Sequence, residues 1–82
     1  MRKNIYFDIT KMEITTKGYA NQITTFENPV ELIIDKSDMT FKINNSFPVY
    51  FKNHEVKFIT DDNDIIKYKN GLLTIISEKI IK

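Results

Sequence analysis

The residues with the widest chemical repertoire are few in this sequence. His54 is its single histidine and stands between Asn53 and Glu55. A general base or metal ligand there needs a nucleophile, an orienting group or further ligands converging on it, and the neighbouring positions hold neither cysteine nor serine. It reads as a solvated residue at a turn. Asp61-Asp62-Asn63-Asp64 is the sharpest acidic cluster. Hard cations draw several carboxylate and carbonyl oxygens from a short loop, but this run lacks the glycine and the distal glutamate of an EF-hand loop. Asp and Asn also fill ordinary turns by bonding nearby backbone, and a turn is the expectation here. With 2 glycines and no cysteine, the chain has too little for a phosphate-cradling loop and nothing for a thiolate site or disulfide framework. No catalytic residue, metal site or cofactor is assigned, and the expectation is a protein that is not an enzyme.

Two surface patterns remain. Aromatics interleave with lysines in Tyr50-Phe51-Lys52, Lys57-Phe58 and Lys67-Tyr68-Lys69. Small β-barrels that bind single strands stack bases on aromatics beside cations that track the backbone. Strand alternation sends Phe51, Phe58 and Tyr68 inward, which leaves Tyr50, Lys52, Lys57, Lys67 and Lys69 as the outward set for a single-strand nucleic-acid or nucleotide site. The second pattern is an apolar row on the outward face: Ile59 beside Ile65, Ile65 beside Ile76, with Leu72 farther along and Ile33 two strands away. A solvated sheet face does not carry adjacent isoleucines without cover. Either a second sheet packs over them, or they form a patch for another chain.

The elements that position these residues are read from turns. Asn70-Gly71 lies between two β-branched, apolar-rich runs, the strongest short-range hairpin signal, because a type I′ turn needs φ > 0 at both central residues. It pairs Tyr68 with Leu73 and Ile66 with Ile75. A turn over Thr60–Asp64 sets Phe58 against Ile66 and Val56 against Tyr68, and one at Asn53-His54 sets Phe51 against Val56, Val49 against Phe58 and Lys52 against Glu55. Asn44-Asn45-Ser46 brings Phe47, Val49 and Phe51 against Ile43, Phe41 and Met39, with Pro48 confined to a strand start or an edge. Folding about Lys36-Ser37 pairs Ile34 with Met39, Leu32 with Phe41, Val30 with Ile43 and Glu31 with Lys42. At the N-terminus Ile5, Phe7 and Ile9 change phase to Met12 and Ile14, which requires a bulge near Thr10-Lys11. Lys17-Gly18 then pairs Thr16 with Tyr19, Met12 with Ile23 and Glu13 with Gln22, and a turn at Asn28-Pro29 ends that strand. Ser77–Lys82 reads as a strand extension rather than a helical turn.

These turns recur about every 17 to 19 residues, which predicts an all-β fold: an up-and-down antiparallel meander of about eight short strands, closing as a small barrel or a two-sheet sandwich. The 82 residues, 41% of them hydrophobic, form one domain over 1–82 with a modest core. A net charge of +1, dispersed along the chain, supplies no long-range field toward nucleic acid or an anionic membrane. No apolar run reaches the roughly 20 residues of a membrane span, and Met1-Arg2-Lys3 leads straight into a strand pattern; a cytoplasmic location is expected. Ile, Lys and Asn are over-used, the codon bias of an AT-rich genome. In size and composition the chain resembles short all-β proteins of phages and similar elements, which implies the cytoplasm of a host cell. The function expected is a small interaction protein that occupies a protein partner's surface or self-associates as a homodimer or higher oligomer. A phage-type inhibitor of a host protein and a small subunit of an assembly both fit, with Ile59, Ile65, Ile76 and Leu72, or an open strand edge, as the contact.

Overall fold

A computed structural model of the protein describes residues 4–52 and 54–76. Its strands are β1 (Asn4–Thr16), β2 (Gln22–Asp35), β3 (Thr40–Ile43), β4 (His54–Thr60), β5 (Ile65–Lys69) and β6 (Leu72–Ile76). They form one antiparallel sheet in the order β3-β2-β1-β4-β5-β6, curled into a half-barrel. The meander of eight strands and its closure are therefore corrected to six strands and an open sheet among the described residues. The predicted strand at Ser77–Lys82 lies outside the described residues.

The C-terminal half follows the turn chemistry. Asn70 and Gly71 take φ of 52° and 80°, and the predicted pairs Tyr68–Leu73, Ile66–Ile75, Val56–Tyr68 and Phe58–Ile66 all form. β1 carries the expected bulge between Ile9 and Lys11 against both neighbours. One unpaired residue there keeps Ile5, Phe7 and Ile9 on the same face as Met12 and Ile14.

Elsewhere local chemistry overrides the simple meander. Asn28-Pro29 does not turn. Ile9 pairs with Val30 and Lys11 with Thr25, so residues 26–29 bulge out of β2, and Pro29 sits where no ladder donor is needed. The first hairpin is closed by residues 17–21 rather than by two residues, with the Tyr19 N–H donating to Thr16 O at 3.0 Å. Ile23 consequently faces Glu13 instead of Met12. That one-residue slip moves it to the outer face, where it is 59% exposed. In the next hairpin the Asp35 carboxylate accepts the N–H groups of Ser37 at 2.9 Å and Asp38 at 3.4 Å, which widens the turn. Ile34 then meets Phe41, and Lys42 meets Ile33 rather than Glu31. The slip is two residues, so the faces survive and the expected ion pair does not.

The largest departure is at Phe47–Lys52. Val49 does meet Phe41 in the expected register, through reciprocal bonds of 2.8 Å, but Pro48 lacks a donor and no ladder extends from this bridge. Phe47 is thrown outward, 89% exposed. β4 accordingly does not fold back on this segment. It crosses to the free edge of β1 and pairs Met12 with Phe58, Glu13 with Lys57, Ile14 with Val56 and Thr15 with Glu55, so Lys52 does not face Glu55.

The core lies on the concave face: Ile9, Leu32, Ile34, Phe41, Phe51, Val56, Phe58, Ile66 and Tyr68. The Phe41 ring sits 5.0 Å from Tyr68, 5.3 Å from Phe51 and 5.7 Å from Phe58. β3 and β5 are separated by four strand-to-strand steps, about 19 Å in a flat sheet. The contact between their aromatic rings is therefore a direct measure of the curl.

Phe41→Ala removes the ring that all three partners touch and is expected to lower stability by about 3–5 kcal/mol in urea unfolding. Phe47→Ala is expected to stay within about 0.5 kcal/mol of the parent; equal losses at the two positions would contradict the curled sheet. Burial, and secondarily Tyr50, hold the Tyr68 phenol above its ordinary value of 10.0. The folded state then binds this proton more tightly than the unfolded state, so the contribution is full below about pH 10 and is lost as pH rises through the folded value. Stability measured against alkaline pH is expected to fall less steeply in Tyr68→Phe, and an unchanged limb would contradict the assignment.

Candidate functional site

Alternation along β4, β5 and β6 places every second residue on the convex face, and the registers sort these by chemistry. Ile59 faces Ile65 and Ile65 faces Ile76, the row expected from the sequence. It continues to Lys11 and Thr25 across β1 and β2. Ile59 and Ile65 are half-buried, while Ile76 is 42% exposed. The described strands form one sheet and not a sandwich, so no second sheet covers this face among the described residues; the notion that Ile80 and Ile81 cover the row lies outside them. Leu72 is 68% exposed and stands opposite Lys69 at the turn, at the far end of β6 from Ile76. Ile33 lies apart, between Tyr6 and Lys42.

The other half of the convex face is charged. Lys57 lies directly opposite Lys67, an unfavourable pairing taken alone. Glu13, opposite Lys57 on the other side, reaches it at 3.6 Å, and Glu55 reaches Lys69 at 3.7 Å. His54 is not a free turn residue: it opens β4 opposite Thr16, with Nδ1 hydrogen-bonded to Thr16 Oγ1 at 2.8 Å. With Thr15, Lys17, Glu55, Lys69 and Asn70 it lines an open cleft of about 570 Å³.

The proposed nucleic-acid set is divided. Lys57, Lys67 and Lys69 share the convex face, two of them beside glutamates. Tyr50 and Lys52 belong to the irregular segment before β4, where they line a hollow of about 250 Å³ with Phe51, Tyr68, Asn70 and Gly71. Phe51 and Tyr68 are core residues, so this hollow opens on the side of the sheet opposite the lysines. The acidic run is a turn, as expected. Thr60 N–H donates to Asp64 O and Asp64 N–H to Thr60 Oγ1, both at 2.9 Å, with Asn63 at φ 67°. Among the described residues no group of three or more His, Cys, Asp or Glu is placed to hold a metal ion.

One feature was only partly visible in the sequence. β6, Leu72-Leu73-Thr74-Ile75-Ile76, ends the sheet, and its outer edge is unpaired among the described residues. It has no charge and no proline, the usual means by which an edge is protected. The opposite edge, on β3, is occupied at Phe41 by Val49. Ile75, expected in the core opposite Ile66, is 46% exposed, with no strand beyond it among the described residues. Alternation assigned its face correctly; only the strand order reveals that the face stops there.

The chain matches none of the protein-family models, curated proteins or solved structures with which it was compared.

Glu13 is the counter-charge that makes the Lys57–Lys67 pairing tolerable. Glu13→Gln is expected to lower stability by about 0.5–1 kcal/mol at low salt, with the loss shrinking at about 0.5 M salt as the lysines are screened. Urea unfolding at the two salt concentrations checks this, and a salt-independent loss would contradict it.

Proposed function

We propose that the protein is a small non-enzymatic interaction module that acts by occupying the surface of a protein partner, using the bare edge of β6 and the adjoining Ile65 and Ile76. The supporting observation is that edge: an uncharged, apolar-rich strand with backbone groups unpaired among the described residues and exposed apolar side chains on both of its faces. An extended segment of another chain gains main-chain hydrogen bonds by adding to such an edge, and the flanking side chains set specificity. A phage-type inhibitor and a small assembly subunit are both roles this contact would serve. The single-strand nucleic-acid reading draws on Tyr50, Lys52, Lys57, Lys67 and Lys69, which lie on two sides of the sheet, and it is the weaker of the two.

The test compares capture of proteins from a lysate of the source organism by the parent chain, by Ile65→Lys and by Ile76→Lys. Both variants are expected to keep the parent's circular dichroism and unfolding midpoint within a few degrees while losing the captured protein. Undiminished capture by both, or unfolding of both, would contradict the assignment. Tight binding of an oligonucleotide at low salt that survives both substitutions would favour the nucleic-acid reading instead.

A further inference from the structure

We propose that the occupant of the β6 edge is a second copy of this chain, paired antiparallel about a two-fold axis through Thr74; this rests on the reading of that edge as the contact surface. The direction of the free backbone groups follows from the turn. Asn70-Gly71 is a two-residue connection, so Lys69 and Leu72 exchange both of their backbone hydrogen bonds. The alternation of an antiparallel ladder then points the N–H and C=O of Leu72, Thr74 and Ile76 toward β5, and those of Leu73 and Ile75 outward. A two-fold axis through Thr74 sets Leu73 of one copy opposite Ile75 of the other, twice, so the outward groups of both copies satisfy one another.

The side chains match the same axis. Read outward from Thr74, β6 is apolar on both arms: Leu73 and Leu72 one way, Ile75 and Ile76 the other. Antiparallel pairing therefore puts Leu72 opposite Ile76 on the convex face and Leu73 opposite Ile75 on the concave face. No charge meets a like charge, which self-pairing otherwise makes hard to avoid at an edge bearing lysines. Ile75, half-exposed on the face that carries the core, gains cover from Leu73 of the other copy, and the Ile59–Ile65–Ile76 row continues onto Leu72 of the other copy. An interface of this isologous kind closes at two subunits and leaves no bare β6 edge. Five residues a side is a small contact, so the dimer is dissociable.

Analytical ultracentrifugation over about 10 µM to 1 mM, the range in which a weak contact is populated, reads this directly. The mass is expected to rise from the 9.7 kDa of the monomer toward twice that value. Ile75→Pro, which deletes an outward N–H and no β5–β6 bond, is expected to remain monomeric with unchanged circular dichroism, as is Leu72→Glu. The double variant Leu72→Glu/Ile76→Lys restores an opposite-charge pair only in the Thr74-centred register and is expected to recover the dimer. A parent chain that stays monomeric throughout would overturn the second-copy proposal; if it still captures a protein through Ile76, the wider interaction reading stands. A dimer that persists in Ile75→Pro but is lost in Phe47→Ala would place the contact elsewhere and overturn both.

Discussion

The contact of the Phe41 ring with Tyr68, Phe58 and Phe51 is the interaction on which the rest of the structure depends. β3 is four residues long and stands at one end of the sheet, yet its aromatic side chain touches β4 and β5 near the other. A flat sheet of this strand order would leave its apolar face open to water, and the curl closes that face on itself. The irregular segment after β3 serves the same closure: with Pro48 unable to extend a ladder, it stays out of the sheet and delivers Phe51 to the cluster. In a chain this small the buried rings are a large share of the apolar area removed from water.

The curl also determines what is left outside. Concave residues converge and are covered, whereas convex residues diverge and remain solvated, so the convex face must carry charge or meet something else. Its half near Glu13, Lys57, Lys67 and Lys69 carries charge, held by the half-buried Glu13–Lys57 pair and the exposed Glu55–Lys69 pair, each a modest contribution to stability. Its other half carries isoleucines. Among the described residues the curl stops at β6, short of closure, and leaves a neutral edge beside those isoleucines.

What could be read in the sequence was what short turns determine. Asn70-Gly71 and Thr60–Asp64 permit essentially one connection each, so the β4–β5–β6 registers and the Ile59–Ile65–Ile76 row follow from local chemistry. The bulge at Thr10 was legible because a phase change in apolar residues has few other causes. The pairing of β1 with β4 was not, because even its nearest pair, Thr16 with His54, lies 38 positions apart along the chain, and no turn specifies it. Glu13 and its role beside Lys57 were hidden for the same reason. The Asn28-Pro29 and Lys36-Ser37 turn signals are of the opposite kind: each is strong locally, but its outcome, a bulge in one case and a wider turn capped by Asp35 in the other, depends on which strand lies alongside. Alternation places Phe47 in the core only if the ladder runs on through Pro48, and the pairing there is a single bridge at Val49.

The curl determines which edges are left on the surface, since a simple meander would bury Phe51 against Val56 and leave the free edge of β1, not only that of β6, exposed. Nuclear Overhauser contacts between ring protons of Phe41 and Tyr68 test this most directly. The curled sheet predicts strong cross-peaks between those rings, together with cross-strand contacts between Met12 and Phe58. Absence of both, with backbone contacts joining Phe51 to Val56 instead, would contradict it.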